Sequence, residues 1–180
     1  MTDDYEPVKV SKRIAAPPSR VFAILADPAR HTEFDGSGML RGAVTTRTVS
    51  GVGDVFTMRM FFSELGDYEM NNHVVEFEPD RLIAWEPEAG RGLAQAAPPG
   101  LPQNRWGHRW IFELAPDGTD ATVVTEIYDC SRAPLEERET MDNGRVWLES
   151  MTSTLNNLEA LCQRRAAPGS PETGPRQLST

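Results

Sequence analysis

The clearest structural signal in the chain is the stretch VSKRIAAPPSRVFAILADPARHTEFDGSG, residues 10–38. Alternation with a period of two around its start predicts a β-strand whose one face carries Val8, Val10 and Ile14. Consecutive prolines then suit the first turn of a helix, and apolar residues follow at helical spacing until the next proline interrupts them. We therefore predict a first strand followed by two short helices, over about 18–26 and 28–34.

The alternating pattern returns after this stretch and continues through most of the chain. Turn-forming Gly, Pro and Asp residues divide it, and the Asp-Gly pair in APDGTD favours a chain reversal. The predicted strands cover residues 40–49, 53–62, 67–78, 81–86, 105–114 and 121–129. Sequential strands with such turns predict an antiparallel meander.

The pattern changes to helical spacing near the carboxyl end of the chain. Trp147, Met151, Thr154, Leu158 and Leu161 recur in steps of three and four residues, which predicts one long amphipathic helix over about 143–165. An antiparallel sheet of about six or seven strands curls through its own twist and needs a cover on one face. We predict an α+β fold in which this curved sheet wraps around the long C-terminal helix.

Length, composition and charge limit the classes of function. The 180 residues fit one domain, predicted at 1–165, followed by a Pro-, Gly- and Ser-rich tail at 166–180 that we expect to be disordered. The net charge of −9 repels phosphate groups, so we expect no nucleic-acid partner. We expect no membrane insertion, because no run of about 18 apolar residues occurs. Without a secretory signal pattern, the expected location is the cytoplasm, with Cys130 and Cys162 reduced.

Several segments carry a resemblance to a known superfamily. They are residues 10–38, HVVEFEPDRLIAWE (73–86), the pair HRWIFEL and ATVVTEIYD (108–114 and 121–129), and W-x(3)-M-x(2)-TLNNLEAL (147–161). Together they resemble the SRPBCC superfamily, which includes START-like lipid carriers, birch-pollen-allergen-like carriers and polyketide cyclases/dehydratases. The likeness spans about residues 5–165 and favours the polyketide cyclase/dehydratase-like branch. It implies a helix-grip fold with a deep cavity, but no single function, because members bind, transfer or cyclise many hydrophobic molecules.

An apolar groove between the sheet and the helix is the expected binding site for a hydrophobic small molecule. Bulky side chains share one face of the strands near residues 56–62 and 106–114, and Tyr68 and Asn72 share a face with Val74 as polar handles. The predicted ligand-binding residues are Phe34, Phe56, Met58, Met60, Phe62, Tyr68, Met70, Asn72, Trp106, Trp110, Tyr128, Trp147 and Met151.

Some assignments at this groove have alternatives. Asn72 is as well explained as a residue that forms hydrogen bonds within the sheet. The resemblance places Phe34 at the cavity rim, as a gate, whereas the turn beside it suits an ordinary structural role. The pattern does not decide which face carries Trp85, and the Pro-rich loop 87–104 is predicted to be functional or disordered.

The hairpin around APDGTD supplies the candidate catalytic residues. A loop at 115–119 pairs His108 with Glu126 and Trp110 with Val124, so His108 and Glu126 face inward with the tryptophan. An imidazole beside a carboxylate is an acid/base candidate, with a histidine pKa near neutrality. The structural alternative is a buried polar pair whose members satisfy each other without catalysis.

The sequence lacks the residues that metal-dependent and nucleotide-dependent chemistries need. Three histidines and two distant cysteines give no zinc spacing, so we expect no metal. No glycine-rich dinucleotide or phosphate-binding motif is present, and we expect no cofactor.

Three functions are consistent with the sequence. The first is binding, transport or sequestration of a lipid or polyketide-like hydrophobic molecule. The second is a cofactor-free polyketide cyclase, aromatase or dehydratase in which His108 and Glu126 move protons while Tyr68, Asn72 or Tyr128 holds a carbonyl oxygen. The third is a regulator resembling chaperone activators, which needs an exposed apolar patch. The sequence determines neither the ligand nor the oligomeric state.

Overall fold

The computed structural model describes residues 5–93 and 105–164. Its strands are β1 (Val8–Ile14), β2 (Leu40–Ala43), β3 (Val55–Phe62), β4 (Gly66–Glu78), β5 (Leu82–Ala89), β6 (Arg109–Pro116) and β7 (Thr122–Asp129). Neighbouring strands pair antiparallel in the order β1-β7-β6-β5-β4-β3-β2. The predicted α+β fold with a curved antiparallel sheet is confirmed.

The helices lie on one face of this sheet, which we call the inner face. They are α1 (Pro18–Leu25), α2 (His31–Phe34), α3 (Leu135–Thr140) and α4 (Leu148–Gln163), with 3₁₀ turns at Pro28–Arg30 and Asp142–Trp147. Because β1 and β2 form opposite edges of the sheet, the segment with α1 and α2 crosses from one edge to the other. The two predicted short helices after the first strand are confirmed.

The solid part of the core lies where α1 and the second half of α4 meet the sheet. Leu155, Leu158 and Leu161 of α4 are buried together with Val21 and Leu25 of α1. Such close-packed contacts supply most of the apolar stabilisation of the fold. The first half of α4 lies outside this cluster. Its Met151 packs instead in a separate cluster with Tyr128 of β7 and Cys130.

Lys12 is the one charged residue on the inner face of β1, and α4 accommodates it. Its Nζ lies 3.1 Å from Oε2 of Glu159. Since both side chains are about one-third exposed, the pair adds little stability but satisfies the charge.

Three predicted boundaries are wrong. The strand predicted at 40–49 already ends at Ala43. The strand predicted at 105–114 begins only at Arg109, because Gly107 has a φ of 78° that breaks the extended backbone. The helix predicted at 143–165 begins only at Leu148, because Asn143 and Gly144 have φ values of 51° and 93°. The errors at Arg109 and Leu148 arise from left-handed backbone conformations that alternation and helical spacing do not reveal.

Two further predictions concern loops. Of the loop predicted at 87–104, residues 87–89 belong to β5, and residues 94–104 lie outside the described residues. The tail predicted at 166–180 also lies outside them.

Gly36 fixes the position of α4 over the sheet. It follows α2, and its backbone N–H donates to Oγ1 of Thr154 at 3.0 Å. A Cβ at Gly36 would lie 2.1 Å from the backbone oxygen of Ser150 and 2.4 Å from the backbone nitrogen of Thr154. Since helix backbone cannot move aside as a flexible side chain can, only glycine fits at this contact.

Gly36→Ala is therefore expected to lower the free energy of unfolding by about 3 kcal/mol, through overpacking against α4. Gly51→Ala is the matched control, because a Cβ at Gly51 meets no atom within 4 Å and its φ is not in the left-handed region. That control should be neutral or slightly stabilising. Urea unfolding followed by tryptophan fluorescence measures both variants, and equal stabilities would contradict the close contact.

Candidate functional site

A cavity of about 330 Å³ lies between the inner face of the sheet and the first half of α4. Side chains from α2, α3, α4 and strands β2 to β6 wall it, together with Glu126 of β7. Leu65 lines the cavity and is 53% exposed, so the cavity opens to solvent beside the turn between β3 and β4. Its volume falls within the range of roughly 300–1,000 Å³ that is typical of small-molecule sites.

Aromatic and sulfur-containing side chains dominate the wall. All four tryptophans of the chain, at positions 85, 106, 110 and 147, line the cavity. The predicted residues that line it are Phe34, Phe56, Met58, Met60, Tyr68, Met70, Asn72, Trp106, His108, Trp110, Glu126, Trp147 and Met151. Their contact with a ligand remains a prediction.

Two predicted residues do not line the cavity. Phe62 follows the inner-face alternation of β3 but pairs with Gly66 at the end of the strand, where it is 42% exposed and beyond the wall. Tyr128 is fully buried, and Trp110 and Trp147 pack against its ring. The Tyr128 hydroxyl contacts Nδ1 of His108 and is not part of the cavity wall, and its role in holding a ligand carbonyl stays a prediction.

Several lining residues were not among the predicted site residues. Trp85 lies on the inner face because β4 and β5 pair Val74 with Trp85, and a bulge between Val74 and Glu76 then shifts the register. Short-range alternation cannot locate such a bulge. The other additional lining residues are His31, Asp35, Ser37, Met39, Leu40, Leu65, Pro87, Leu93, Phe112, Glu137, Met141, Ser150 and Thr154. Helical spacing in α4 was the available signal for Thr154 and Ser150, which lie near Met151.

The predicted register between β6 and β7 is wrong by four residues. β6 extends to Pro116, so the turn begins later than predicted, and Glu126 pairs with Phe112 while Trp110 pairs with Tyr128. Since four is an even number, the inward-facing residues stay the same, but His108 and Glu126 are not cross-strand neighbours.

Glu126 has the most unusual environment of the titratable groups. The residue is 4% exposed and lines the cavity, and within the described residues its Oε2 has no hydrogen-bond partner. Burial raises the pKa of Glu126 well above its ordinary value, and the charge of Asp35 raises it further. This environment favours the protonated, uncharged carboxyl, which can donate a hydrogen bond to a ligand oxygen.

The pKa of His108 shifts in the opposite direction to that of Glu126. Its Nδ1 lies 2.6 Å from the hydroxyl of Tyr128, while its buried Nε2 has no partner among the described residues. Burial lowers the pKa of His108 to about 4, so the imidazole is neutral near pH 7. The prediction of a carboxylate-supported histidine that titrates near neutrality is therefore wrong.

Further polar groups at the wall differ in how well they are satisfied. The amide nitrogen of Asn72 lies 3.4 Å from the Phe56 carbonyl and 3.5 Å from the Met70 carbonyl, both long for hydrogen bonds. Asp35 accepts hydrogen bonds from the backbone and hydroxyl of Ser37 and from the backbone of Leu40. Asn72 is thus the less constrained group, whereas Asp35 has a structural role in its turn.

The His31 side chain packs into the cavity wall as a neutral aromatic ring. Its Nε2 donates to the Leu25 carbonyl at 2.8 Å, and its ring lies 5.2 Å from Phe56 and 5.6 Å from Trp85. Burial lowers the pKa of His31. These contacts make it a structural part of the aromatic wall.

On the opposite, outer face of the sheet, Glu86 organises a group of arginines. Its carboxylate, 5% exposed, accepts hydrogen bonds from Arg105, Arg109 and Arg132. Burial opposes its ionisation, but the hydrogen bonds from Arg109 and Arg105 outweigh burial and lower the pKa of Glu86. Through Arg105 and Arg109, these ion pairs hold the segment that contains Trp106 and His108 against β5.

The described residues contain no group of three or more His, Cys, Asp and Glu side chains placed to hold a metal ion. Among the same residues, no helix has the length and apolar character needed to cross a bilayer.

Residues 7–163 match the family described as polyketide cyclase / dehydrase and lipid transport. The chain belongs to this family. The resemblance to the SRPBCC superfamily, expected from the sequence, is thereby confirmed. The family description and the apolar wall together support the binding of hydrophobic molecules in general.

Curated relatives occur in Mycobacterium tuberculosis. Uncharacterized protein Rv0088 is 33% identical over 128 residues, which are 70% of this chain and 49% of that protein. Uncharacterized protein MT0096 is 34% identical over 128 residues, with the same coverage of 70% and 49%. The chain therefore spans about half the length of the curated relatives it matches.

Solved structures share the fold at low sequence identity. A protein from Arthrobacter aurescens has a TM-score of 0.64 and 15% identity, covering 94% of this chain and 93% of that chain. Protein Ms6760 from Mycobacterium smegmatis has a TM-score of 0.62 and 16% identity, covering 91% and 94%. Truncated norcoclaurine synthase from Thalictrum flavum has a TM-score of 0.56 and 13% identity, covering 89% and 95%. These likenesses establish the helix-grip fold and no activity.

The environment of Glu126 predicts a pH-dependent difference in stability. Because the folded protein holds the Glu126 proton more tightly than the unfolded chain, wild-type stability falls as pH rises from the ordinary value of 4.5 towards the raised pKa. Glu126→Gln should remove this loss. Over the same pH range, the unfolding free energy of the variant minus that of the wild type should therefore increase by up to about 1.4 kcal/mol per pH unit.

Urea unfolding of both proteins at a series of pH values measures the difference. Glu113→Gln, on the exposed outer side of β6, is the control and should show no such trend. A difference between Glu126→Gln and wild type that is independent of pH would contradict the buried, protonated carboxyl.

Proposed function

We propose that this protein binds a hydrophobic small molecule, lipid or polyketide-like, in the cavity beneath α4, for transport or sequestration. One observation carries the proposal: a cavity of about 330 Å³ whose wall is mostly Phe, Trp, Met and Leu. Close-packed interiors avoid voids of this size, because each lost contact costs free energy. A bound apolar molecule would restore those contacts.

The polar groups of the wall favour a ligand with oxygen atoms as well as apolar surface. The protonated Glu126 carboxyl and the loosely bonded Asn72 amide are donors suited to a carbonyl or hydroxyl oxygen. Few polar groups in a mostly apolar pocket typically orient a ligand. The description of the family supports the same class of molecule.

The uncharged fluorophore N-phenylnaphthylamine tests this function. Because all four tryptophans line the cavity, a bound fluorophore should quench their emission by energy transfer and saturate at one molecule per chain. Failure to bind, at concentrations where the protein is folded and the probe soluble, would contradict the proposal.

A filled cavity provides the matched comparison. Ser150 lines the cavity from the first turns of α4, so Ser150→Phe should weaken probe binding at least about tenfold by occupying the space. Asn156→Phe places the same side chain on the exposed side of α4 and should leave binding unchanged. Near-ultraviolet circular dichroism verifies that both variants are folded.

A second candidate function is cofactor-free proton transfer. The observation favouring it is that one cavity contains a protonated acid, Glu126, and a neutral base, His108, with shifts of pKa in opposite directions. In such a reaction His108 would remove a proton from a carbon beside a ligand carbonyl, while Glu126 donates a hydrogen bond to the carbonyl oxygen. The carbon–hydrogen bond breaks, a nitrogen–hydrogen bond forms, and an enol or enolate results.

The ketone β-tetralone tests this candidate in deuterated water. The protein should accelerate exchange of its α-hydrogens for deuterium, followed by proton NMR, and His108→Ala should reduce that acceleration by about a hundredfold. His73→Ala, on the outer face and paired with Glu88, is the control. Bound ketone without accelerated exchange would leave binding as the function and remove the catalytic candidate.

A further inference from the structure

The distribution of charge around the cavity points to a restriction on the ligand. We propose that the cavity selects hydrophobic molecules without a negative charge and excludes anions such as fatty-acid carboxylates. This inference rests on the proposed binding function and adds the class of ligand.

The wall contains acids but no permanent cation, and burial lowers the pKa of its two histidines, His31 and His108. Asp35, Glu126 and Glu137 line the cavity, whereas none of the described lining residues is Lys or Arg. Asp35 accepts its hydrogen bonds from the protein's own turn, so it has no donor of its own to offer a ligand. An anion in this space would lose its hydration and meet carboxyl groups instead of a cation.

Glu126 lies inside the cavity, so its effect on an anionic ligand would act directly at the binding site. It is 4% exposed, and neither the sheet nor α4 supplies a partner for its Oε2 within the described residues. In its protonated form it suits an uncharged ligand oxygen. A ligand carboxylate would have to lie in the same apolar cavity as Glu126 and Asp35, and the charge of Asp35 already disfavours a second negative charge there.

Uncharged oxygen atoms find other donors in the wall. The indole Nε1 of Trp106 is buried and has no acceptor among the described residues, whereas that of Trp147 lies beside the Tyr128 hydroxyl. Indole N–H is a donor only, so carbonyl or ether oxygens are the complementary groups. These donors are neutral and do not supply the charge that a carboxylate needs.

Three basic residues of the same region lie on the other side of the sheet. Arg105, Arg109 and Arg132 converge on Glu86 at the outer face. Lys12, on the inner face, is paired with Glu159 of α4 and is not a lining residue. Arg138 of α3 follows the lining residue Glu137, but it is buried with its guanidinium over the ring of Tyr5 and does not line the cavity. No Lys or Arg of the described residues therefore forms part of the wall.

Two fluorophores of the same skeleton test the charge restriction. N-phenylnaphthylamine is uncharged, and anilinonaphthalene sulfonate adds one sulfonate group. We expect the sulfonate to bind the wild-type cavity at least about tenfold more weakly, measured by tryptophan energy transfer and by competition between the probes.

A charge reversal at the wall distinguishes the effect of a charge inside the cavity from the effect of the protein's net charge. Glu137→Lys places a cation at a half-buried lining position of α3 and should strengthen binding of the sulfonate several-fold, with little change for the uncharged probe. Glu136→Lys makes the same change in net charge at the exposed neighbouring position, which does not line the cavity. It should have a smaller effect, which moderate salt removes.

The outcomes distinguish this inference from the proposed function. If neither probe binds, both proposals are wrong. If the two probes bind the wild type with similar affinity and compete, the charge restriction is wrong and the binding function stands. Equal gains from Glu137→Lys and Glu136→Lys would also overturn the restriction, since net charge alone would then explain the selectivity.

Discussion

The position of α4 is the constraint on which the rest of the structure depends. Its second half packs against α1 and the sheet, and the turn at Gly36 contacts its backbone near Ser150 and Thr154. Sixteen residues span about 24 Å, and one helix cannot fill the width of a curved seven-stranded sheet within the described residues. The first half of α4 therefore walls a cavity instead of completing a core.

This geometry also explains the chemistry of the site. Glu126 and His108 are buried in the cavity wall, and burial favours the uncharged form of both. The acid Glu126 retains its proton and the base His108 loses its proton, and both become neutral hydrogen-bonding groups. Permanent positive charges lie on the outer face around Glu86, where hydrogen bonds compensate for burial. The same separation underlies hydrophobic binding and the proposed exclusion of anions.

Most of the fold could be predicted because alternation and helical spacing report which side chains are buried. This reasoning placed Phe56, Met58 and Trp110 on the inner face. It could not place the turn after Pro116 or the left-handed residue Gly107, since these depend on local backbone conformation. The consequence was a direct pairing of His108 with Glu126 that the structure lacks, although both side chains reach the same cavity. The face of Trp85 required the bulge in β4, which no short pattern reveals.

The central claim is that an unfilled apolar space exists beneath α4. A crystal structure determined under xenon pressure tests it most directly, because apolar cavities large enough for xenon take up the atom without specific chemistry. We expect xenon density among Phe56, Met58, Trp85 and Met151. Interlocked side chains at this place, with no xenon between them, would contradict it.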